Sequence, residues 1–171
     1  MHRERLREAG RLGPILDLAC GRGRHALAAA AAGSRAVGID RDAQALGEMR
    51  SRALEARLPV DAVRADLETP WGIPVRSGSC GAILVFRFLF RPLAEAIRQT
   101  LAPGGLLLYE TFTTEQEHCR TGPRNPAFLL RPGELRALFA DLEILDSWEG
   151  WTAGERPEAM ARLLARRPSS G

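Results

Sequence analysis

Lysine is absent from this chain. All 24 basic residues are arginine, set against 21 acids, for a formal net charge of +3. The arginines are spread along the whole sequence with acids among them. This reads as compositional bias and solvated faces and gives no strong nucleic-acid signal, although a modest basic groove stays open. Cysteine is scarce as well. Cys20, Cys80 and Cys119 are odd in number, widely separated and without C-x-x-C spacing, which argues against a disulfide framework and against a zinc site. Cys20 and Cys80 read instead as small apolar packing groups, and no metal is expected. No apolar run approaches the roughly 20 residues needed to span a bilayer. The start, Met1 to Gly13, is charged and lacks the apolar segment of a secretory signal. A cytoplasmic location without membrane attachment is therefore the expectation, and no internal repeat is present.

What is present is an ordinary globular mixture, 45% hydrophobic and 26% charged over 171 residues, a length that suits one domain with a real core. A single domain is expected over residues 1–166, with 167–171 a flexible tail. Strand and helix patterns alternate, which predicts an α/β fold with a mostly parallel sheet. Ile15 to Ala19 reads as a buried strand. Alanine-rich Arg24 to Ala32 reads as a helix closed by Gly33. Ala36 to Asp40 is a second strand, and Asp42 caps a helix to about Arg57 whose inner face carries Leu46, Met49, Ala53 and Leu54. Val60 to Ala65 and Ala82 to Phe86 are further strands, with a Pro- and Gly-bearing loop between them. Pro92 opens a helix with Leu93, Ile97 and Leu101 inward, ended by Pro103-Gly104-Gly105. Leu106 to Tyr109 is the fifth strand. A long polar loop from Thr111 to Leu130 follows, then a helix from Pro132 to Phe139. Leu142 to Trp148 and Met160 to Ala165 close the pattern as strands, the second with helix as an alternative. Trp148 and Trp151 are expected to pack in the core or at a sheet edge.

The chemistry concentrates in Asp17-Leu-Ala-Cys-Gly21-Arg-Gly23-Arg24-His25, a glycine-rich turn between a buried strand and a helix. Missing side chains let backbone approach a ligand, and the helix start offers free N–H groups. Gly21-x-Gly23-x-x-Ala26 by itself also matches the nicotinamide-dinucleotide fingerprint. Asp17 separates the two. A carboxylate there repels a pyrophosphate but attracts the ammonium and sulfonium of S-adenosylmethionine, and burying it without a partner is costly. The alternative is that Asp17 accepts backbone hydrogen bonds within the turn. Asp40, ending the second strand, suits a pair of ribose hydroxyls. Asp66, after the third, suits an adenine amino group, with the Leu67 N–H beside it; a plain turn residue is the alternative there. All three acids fall at the carboxyl ends of parallel strands, where open α/β sheets bind ligands. Ala19, Gly21, Gly23 and Arg41 adjoin them as candidate cofactor contacts. Phe86 and Phe88 read as core residues, with Phe86 also a candidate to flank adenine.

With these motifs in hand, the chain resembles the class I, Rossmann-like S-adenosylmethionine-dependent methyltransferases. The resemblance rests on Ile15-Leu-Asp-Leu-Ala-Cys-Gly-Arg-Gly, Val37-Gly-Ile-Asp40, Arg64-Ala-Asp66-Leu and Leu101-Ala-Pro-Gly-Gly-Leu-Leu-Leu-Tyr109-Glu-Thr. Gly-Arg-His25, Arg91-Pro-Leu, Glu110-Thr-Phe and Pro126-Ala-Phe-Leu-Leu-Arg-Pro-Gly look most like a bacterial branch near the tellurite-resistance methyltransferases. The resemblance implies a three-layer α/β/α sandwich with seven strands in order 3-2-1-4-5-7-6, the seventh antiparallel, and S-adenosylmethionine as cofactor with S-adenosylhomocysteine as product. Two departures stand out. Cys80-Gly81 replaces the family's aromatic-Asp pair at the start of the fourth strand. The N-terminal helix that covers the cofactor is short, roughly His2 to Ala9, so the site is expected to be open or completed by a partner chain, unless the chain is shortened at its start.

Methyl transfer needs alignment more than a protein base, and no catalytic residue stands out. Arg87, Arg91, Tyr109 and Arg124 are the candidates for binding an acceptor, small and anionic in this reading, through charge-assisted hydrogen bonds. For Arg91 and Arg87 the alternatives are a helix cap and a solvated side chain. His25 either touches the cofactor or sits in the first turn of its helix. The Thr111–Leu130 loop is a candidate lid. Two other functions stay open at this level: a non-catalytic S-adenosylmethionine-binding module that activates a partner, and an NAD-binding oxidoreductase, which Asp17 and the lack of a second domain oppose.

Overall fold

A computed structural model describes residues 3–119 and 121–169. Seven strands form one sheet: β1 Ile15–Leu18, β2 Ala36–Asp40, β3 Val60–Arg64, β4 Cys80–Phe86, β5 Leu101–Phe112, β6 Glu143–Trp151 and β7 Ala159–Arg166. Five helices accompany them: α1 Arg3–Ala9, α2 Arg24–Ala31, α3 Ala43–Glu55, α4 Ala94–Thr100 and α5 Glu134–Leu138. The strand order is β3-β2-β1-β4-β5-β7-β6. The first five strands run parallel, and β7 is antiparallel to both of its neighbours. This is the order and sense implied by the resemblance. Among the described residues, no helix is long and apolar enough to cross a membrane.

The central strands are apolar on both faces because helices cover both. On one side Ala26, Ala29 and Ala30 of α2, Leu46 and Met49 of α3 and Ala9 of α1 pack on Ile15, Ala82, Leu84 and Leu106. On the other, Leu93, Ile97, Leu135 and Phe139 pack on Leu16, Ile83, Val85 and Leu107. Asp42 caps α3 as expected, its side chain accepting from the Gln44 and Ala45 amides. Leu54 departs from the expected inner face. It is 75% exposed, because α3 turns Leu46, Met49 and Ala53 inward and leaves Leu54 on the solvent side.

Several boundaries also move. Leu101 is the first residue of β5 and not the last of a helix. Pro103-Gly104-Gly105 lies inside that strand, where the pairing with β4 slips between Cys80 and Ala82. Thr111 and Phe112 continue β5, so the connection expected from Thr111 is shorter. It is also tied down. Thr113 bridges Leu130. Gln116 is fully buried, its amide accepting from Ala159 N and donating to Thr121 O. Leu129 is buried with Phe112 and Met160, whereas Phe128 stays 43% exposed. Arg120, within the candidate lid, and His2, at the start of the expected N-terminal helix, lie outside the described residues. Arg167, placed in the loose tail by sequence, is anchored: its amide donates to Gly105 O, its carbonyl accepts from Gly104 N, and its guanidinium donates to Leu101 O. Trp148 and Trp151 lie on the edge strand β6 and are 40% and 46% exposed.

The Cys80-Gly81 departure has a steric cause. A Cβ on Gly81 would lie 1.9 Å from the Ala9 carbonyl oxygen and 2.7 Å from that of Gly13. The end of α1 and the turn into β1 therefore rest directly on the backbone of β4, and no side chain fits between them. Cys80 beside it is fully buried, a small group in the core. Gly81→Ala is expected to destabilise the protein by about 1–3 kcal/mol, the usual range for forcing an extra methyl into a close-packed site. Chemical denaturation should show a lower midpoint with an unchanged slope.

Candidate functional site

The turn from β1 to α2 requires unusual backbone. Ala19, Gly21 and Gly23 have φ of 52°, 52° and 70°, in the left-handed region that glycine tolerates best. The two glycines serve different ends. A Cβ on Gly23 would lie 2.2 Å from Met49 Cγ and Sδ, so Gly23 lets the turn seat on α3; a Cβ on Gly21 would meet nothing within 4 Å. Gly21 thus presents bare backbone to open space. Gly23 also stands at the N-cap of α2 and offers no side chain to it. Asp17 supplies the missing acceptor from the end of β1: its Oδ2 accepts from Ala26 N at 2.9 Å, satisfying one of the free amides of the helix start.

Asp17 is 1% exposed. Burial pushes its carboxyl up to about 7, opposed by the Ala26 hydrogen bond and reinforced by the nearby Asp40. The turn role weighed for this residue is therefore real, but it uses one oxygen. Among the described residues no hydrogen bond or salt bridge reaches the other. Cys20, next in the turn, is raised to about 12 by burial and by the two aspartates, so it stays a thiol.

Asp40 holds the same turn from the second strand. Its Oδ2 accepts from Gly21 N at 2.7 Å and its Oδ1 from Asp42 N at 2.9 Å. A carboxylate has about four lone-pair sites, so each oxygen keeps one for a ligand. Asp40 lines an open cleft of about 460 Å³ together with Ala19, Arg41, Asp66, Leu67 and Phe88. Five residues nominated from sequence thus meet at one cleft. Asp66 Oδ1 accepts from Glu68 N at 2.9 Å, a turn contact that again leaves one oxygen. Arg41 pairs weakly with Glu68 across the rim, at 3.4 Å.

The aromatic wall is Phe88, which sequence reasoning assigned to the core. Phe86 lies on the other side, stacked on His25 with ring centroids 3.8 Å apart. Between them Arg87 takes φ 55°, which turns the chain as it leaves β4 and sends the two phenylalanines to different places. The position of Phe88, two residues past a strand end that faces ligands, was the available signal. His25 sits in the first turn of α2, its pKa lowered by burial and by Arg24.

The acceptor candidates do not converge. Arg87 donates to both oxygens of Glu158, at 2.9 and 2.6 Å, and lies over the Phe112 ring. Arg91 is no helix cap. It pairs with Glu134 at 2.5 and 2.9 Å and donates to the Ala127 and Leu129 carbonyls, stapling α5 and the preceding loop to the start of α4. Tyr109 is buried and donates to Phe88 O at 3.0 Å. Arg124 is exposed on the loop and, among the described residues, makes no side-chain hydrogen bond or salt bridge.

The donor set fits S-adenosylmethionine. Asp17 has a buried oxygen without a partner, of the charge that an ammonium or sulfonium seeks, and Asp40 has lone pairs to spare at the cleft. A pyrophosphate would meet two aspartates at the same turn.

Comparison with known proteins agrees. A family model described as a methyltransferase domain matches residues 15–105, more than half of the chain. No curated protein matches the sequence. Among solved structures, TehB from Haemophilus influenzae superposes with a TM-score of 0.76 at 19% identity, covering 98% of this chain and 62% of that one. This chain thus spans less than two thirds of that protein's length. An S-adenosylmethionine-dependent methyltransferase from Mesorhizobium loti gives 0.72 at 17%, covering 96% of each chain. One from Methanosarcina mazei gives 0.73 at 16%, covering 92% and 93%. Identities this low speak for the fold.

Asp17 provides a direct test. Its carboxyl rises from an ordinary 3.8 to about 7, so ionising it opposes folding. The penalty is absent below pH 4, grows between pH 4 and 7 and is complete above 7, where it reaches on the order of 4 kcal/mol. Asn retains the acceptor for Ala26 N and carries no charge. Asp17→Asn without ligand should therefore melt at or above the wild-type temperature at pH 8, the two converging toward pH 4. S-adenosylhomocysteine should raise the melting temperature of the wild type and leave the variant unmoved. A variant still stabilised by ligand would reduce Asp17 to a turn residue.

Proposed function

This chain belongs to the methyltransferase domain family, whose cofactor is S-adenosylmethionine, and from that premise we propose that it methylates a small-molecule acceptor. The observation that carries the reading is the buried, half-partnered carboxylate of Asp17 at the glycine turn beside the Asp40–Asp66 cleft. In this reading Asp17 attracts the cationic end of the cofactor. Asp40 accepts from the ribose hydroxyls while holding Gly21 in place. Asp66 and the Leu67 amide meet the adenine edge, and Phe88 covers its face. When bound, S-adenosylmethionine would supply an electrophilic methyl carbon to an acceptor lone pair, the carbon–sulfur electron pair going to sulfur.

The chain's own contribution is to align and to exclude water. Gln116, Leu129 and Arg91 hold both ends of the 113–130 loop, so any closing movement belongs to its tip around Arg124. To reach Arg87 or Arg91 an anionic acceptor would have to displace Glu158 or Glu134, which leaves Arg124 on the loop as the candidate without a glutamate partner among the described residues. A non-catalytic role as an activator predicts the same cofactor binding, so turnover against an acceptor panel separates the two.

Removing the Asp40 carboxylate takes away two ligand hydrogen bonds of the charged kind, worth about 1.5–3 kcal/mol each. Asp40→Ala is expected to weaken S-adenosylhomocysteine at least tenfold by calorimetry. Protection of the wild type from heat by NAD and not by S-adenosylhomocysteine would replace this reading with that of an oxidoreductase.

A further inference from the structure

A second trough opens on the α1–α2 face of the sheet, beyond the reach of either helix. Its composition follows from strand register. Phe86 pairs with Glu110, Glu110 with Arg162, and Arg162 with Trp148, one row across four strands. The next row down the same face is Leu84, Leu108, Leu164 and Asp146, since alternate residues of a strand share a face. The trough between these rows encloses about 640 Å³. Leu108 and Leu164 form its floor, Phe86 closes one end beneath His25, and Trp148 stands 40% exposed at the other. No residue of α1, Arg3–Ala9, lines it. That helix ends over Leu106 and Leu145, one row lower, where a separate depression begins.

One end of the trough neighbours the cofactor cleft along the chain. His25 follows Gly23 by two residues, and Phe86 precedes the cleft's Phe88 by two. Its charge is also defined. Arg162 is already committed, bonded to Glu110 at 2.5 Å and lying 4.9 Å over the Trp148 ring. Among the described residues Asp146 has no salt-bridge partner, which leaves the trough one negative charge in excess. Burial and Arg24 hold His25 toward its neutral form. Among the residues that line the trough the one cation, Arg162, is already paired, whereas a flat apolar body with a positive end finds aromatic walls, an apolar floor and a carboxylate.

We propose that this trough is the acceptor subsite and that it takes a small aromatic amine, its ring on the Leu108–Leu164 floor between Phe86 and Trp148 and its ammonium at Asp146. The proposal rests on the methyltransferase reading given above.

Calorimetry on the full chain saturated with S-adenosylhomocysteine tests it, with three probes of one shape and different charge: tyramine, 2-(4-hydroxyphenyl)ethanol and 4-hydroxyphenylacetate. Tyramine is expected to bind saturably and at least tenfold tighter than 4-hydroxyphenylacetate. Trp148→Ala should weaken tyramine at least tenfold. Asp146→Asn should bring tyramine down to the affinity of the neutral alcohol. Asp146 is exposed on the edge strand and makes no salt bridge among the described residues, so Asp146→Asn should keep the wild-type melting temperature and separates lost binding from lost fold. Equal or tighter binding of the carboxylate, tyramine binding unchanged in both variants, or no saturable binding of any probe each overturns the proposal. In those cases an S-adenosylhomocysteine melting shift in the wild type leaves the cofactor reading standing. Absence of that shift overturns both.

Discussion

The site depends on a carboxylate that the fold can bury only at a cost. Asp17 sits near the end of β1, among apolar neighbours, and takes one backbone hydrogen bond from the start of α2. That contact ties the strand to the helix across the glycine turn and sets where the turn's bare backbone lies. Among the described residues nothing binds its second oxygen, so the Ala26 amide offsets only part of the cost of the charge and a cation from outside would offset the rest. The strain of the turn is of the same kind. Ala19 and Arg87 are non-glycine residues in the left-handed region at the carboxyl ends of the adjacent strands β1 and β4, a conformation that surrounding contacts must enforce.

Asp40 converts that local arrangement into a cleft. By accepting from Gly21 N and Asp42 N it joins the glycine turn, the end of β2 and the cap of α3 into one unit. The cleft is therefore built mainly from backbone held by two aspartates, with Phe88 and Leu67 as apolar walls. Little in it depends on long side chains, whose ordering would be entropically expensive.

The arginines do a different job. Those that the sequence offers for acceptor binding are used to fasten the molecule. Arg87 reaches Glu158 across 71 residues, Arg91 reaches Glu134 across 43, and Arg162 holds Glu110 across 52. Arg167 donates to main-chain carbonyls at the end of α4 and the start of β5. The planar guanidinium fork suits such two-pronged contacts better than an ammonium does. The consequence for function is that positive charge near the strand ends is largely neutralised, which turns attention from anions toward the trough beside Trp148.

How much of this was legible beforehand follows the range of the forces involved. The glycine turn, the Asp42 cap, the buried strands and the acids at strand ends are set by neighbours a few residues away, through turn chemistry and periodicity, and they appear where the sequence puts them. The strand order came from resemblance, since local patterning does not encode it. The extension of β5 through Pro103-Gly-Gly, the exposure of Leu54, the separation of Phe86 from Phe88 and the partners of Arg87 and Arg91 were decided in three dimensions. Each depends on which distant residue the register brings alongside. A bulge tolerated because β4 slips, or a guanidinium drawn to a carboxylate on another element, has no signature in the residues next to it. The sequence by itself determined which chemical groups stand at the mouth of the sheet. The tertiary structure decided which of them are already paired, and so which remain free to meet a ligand.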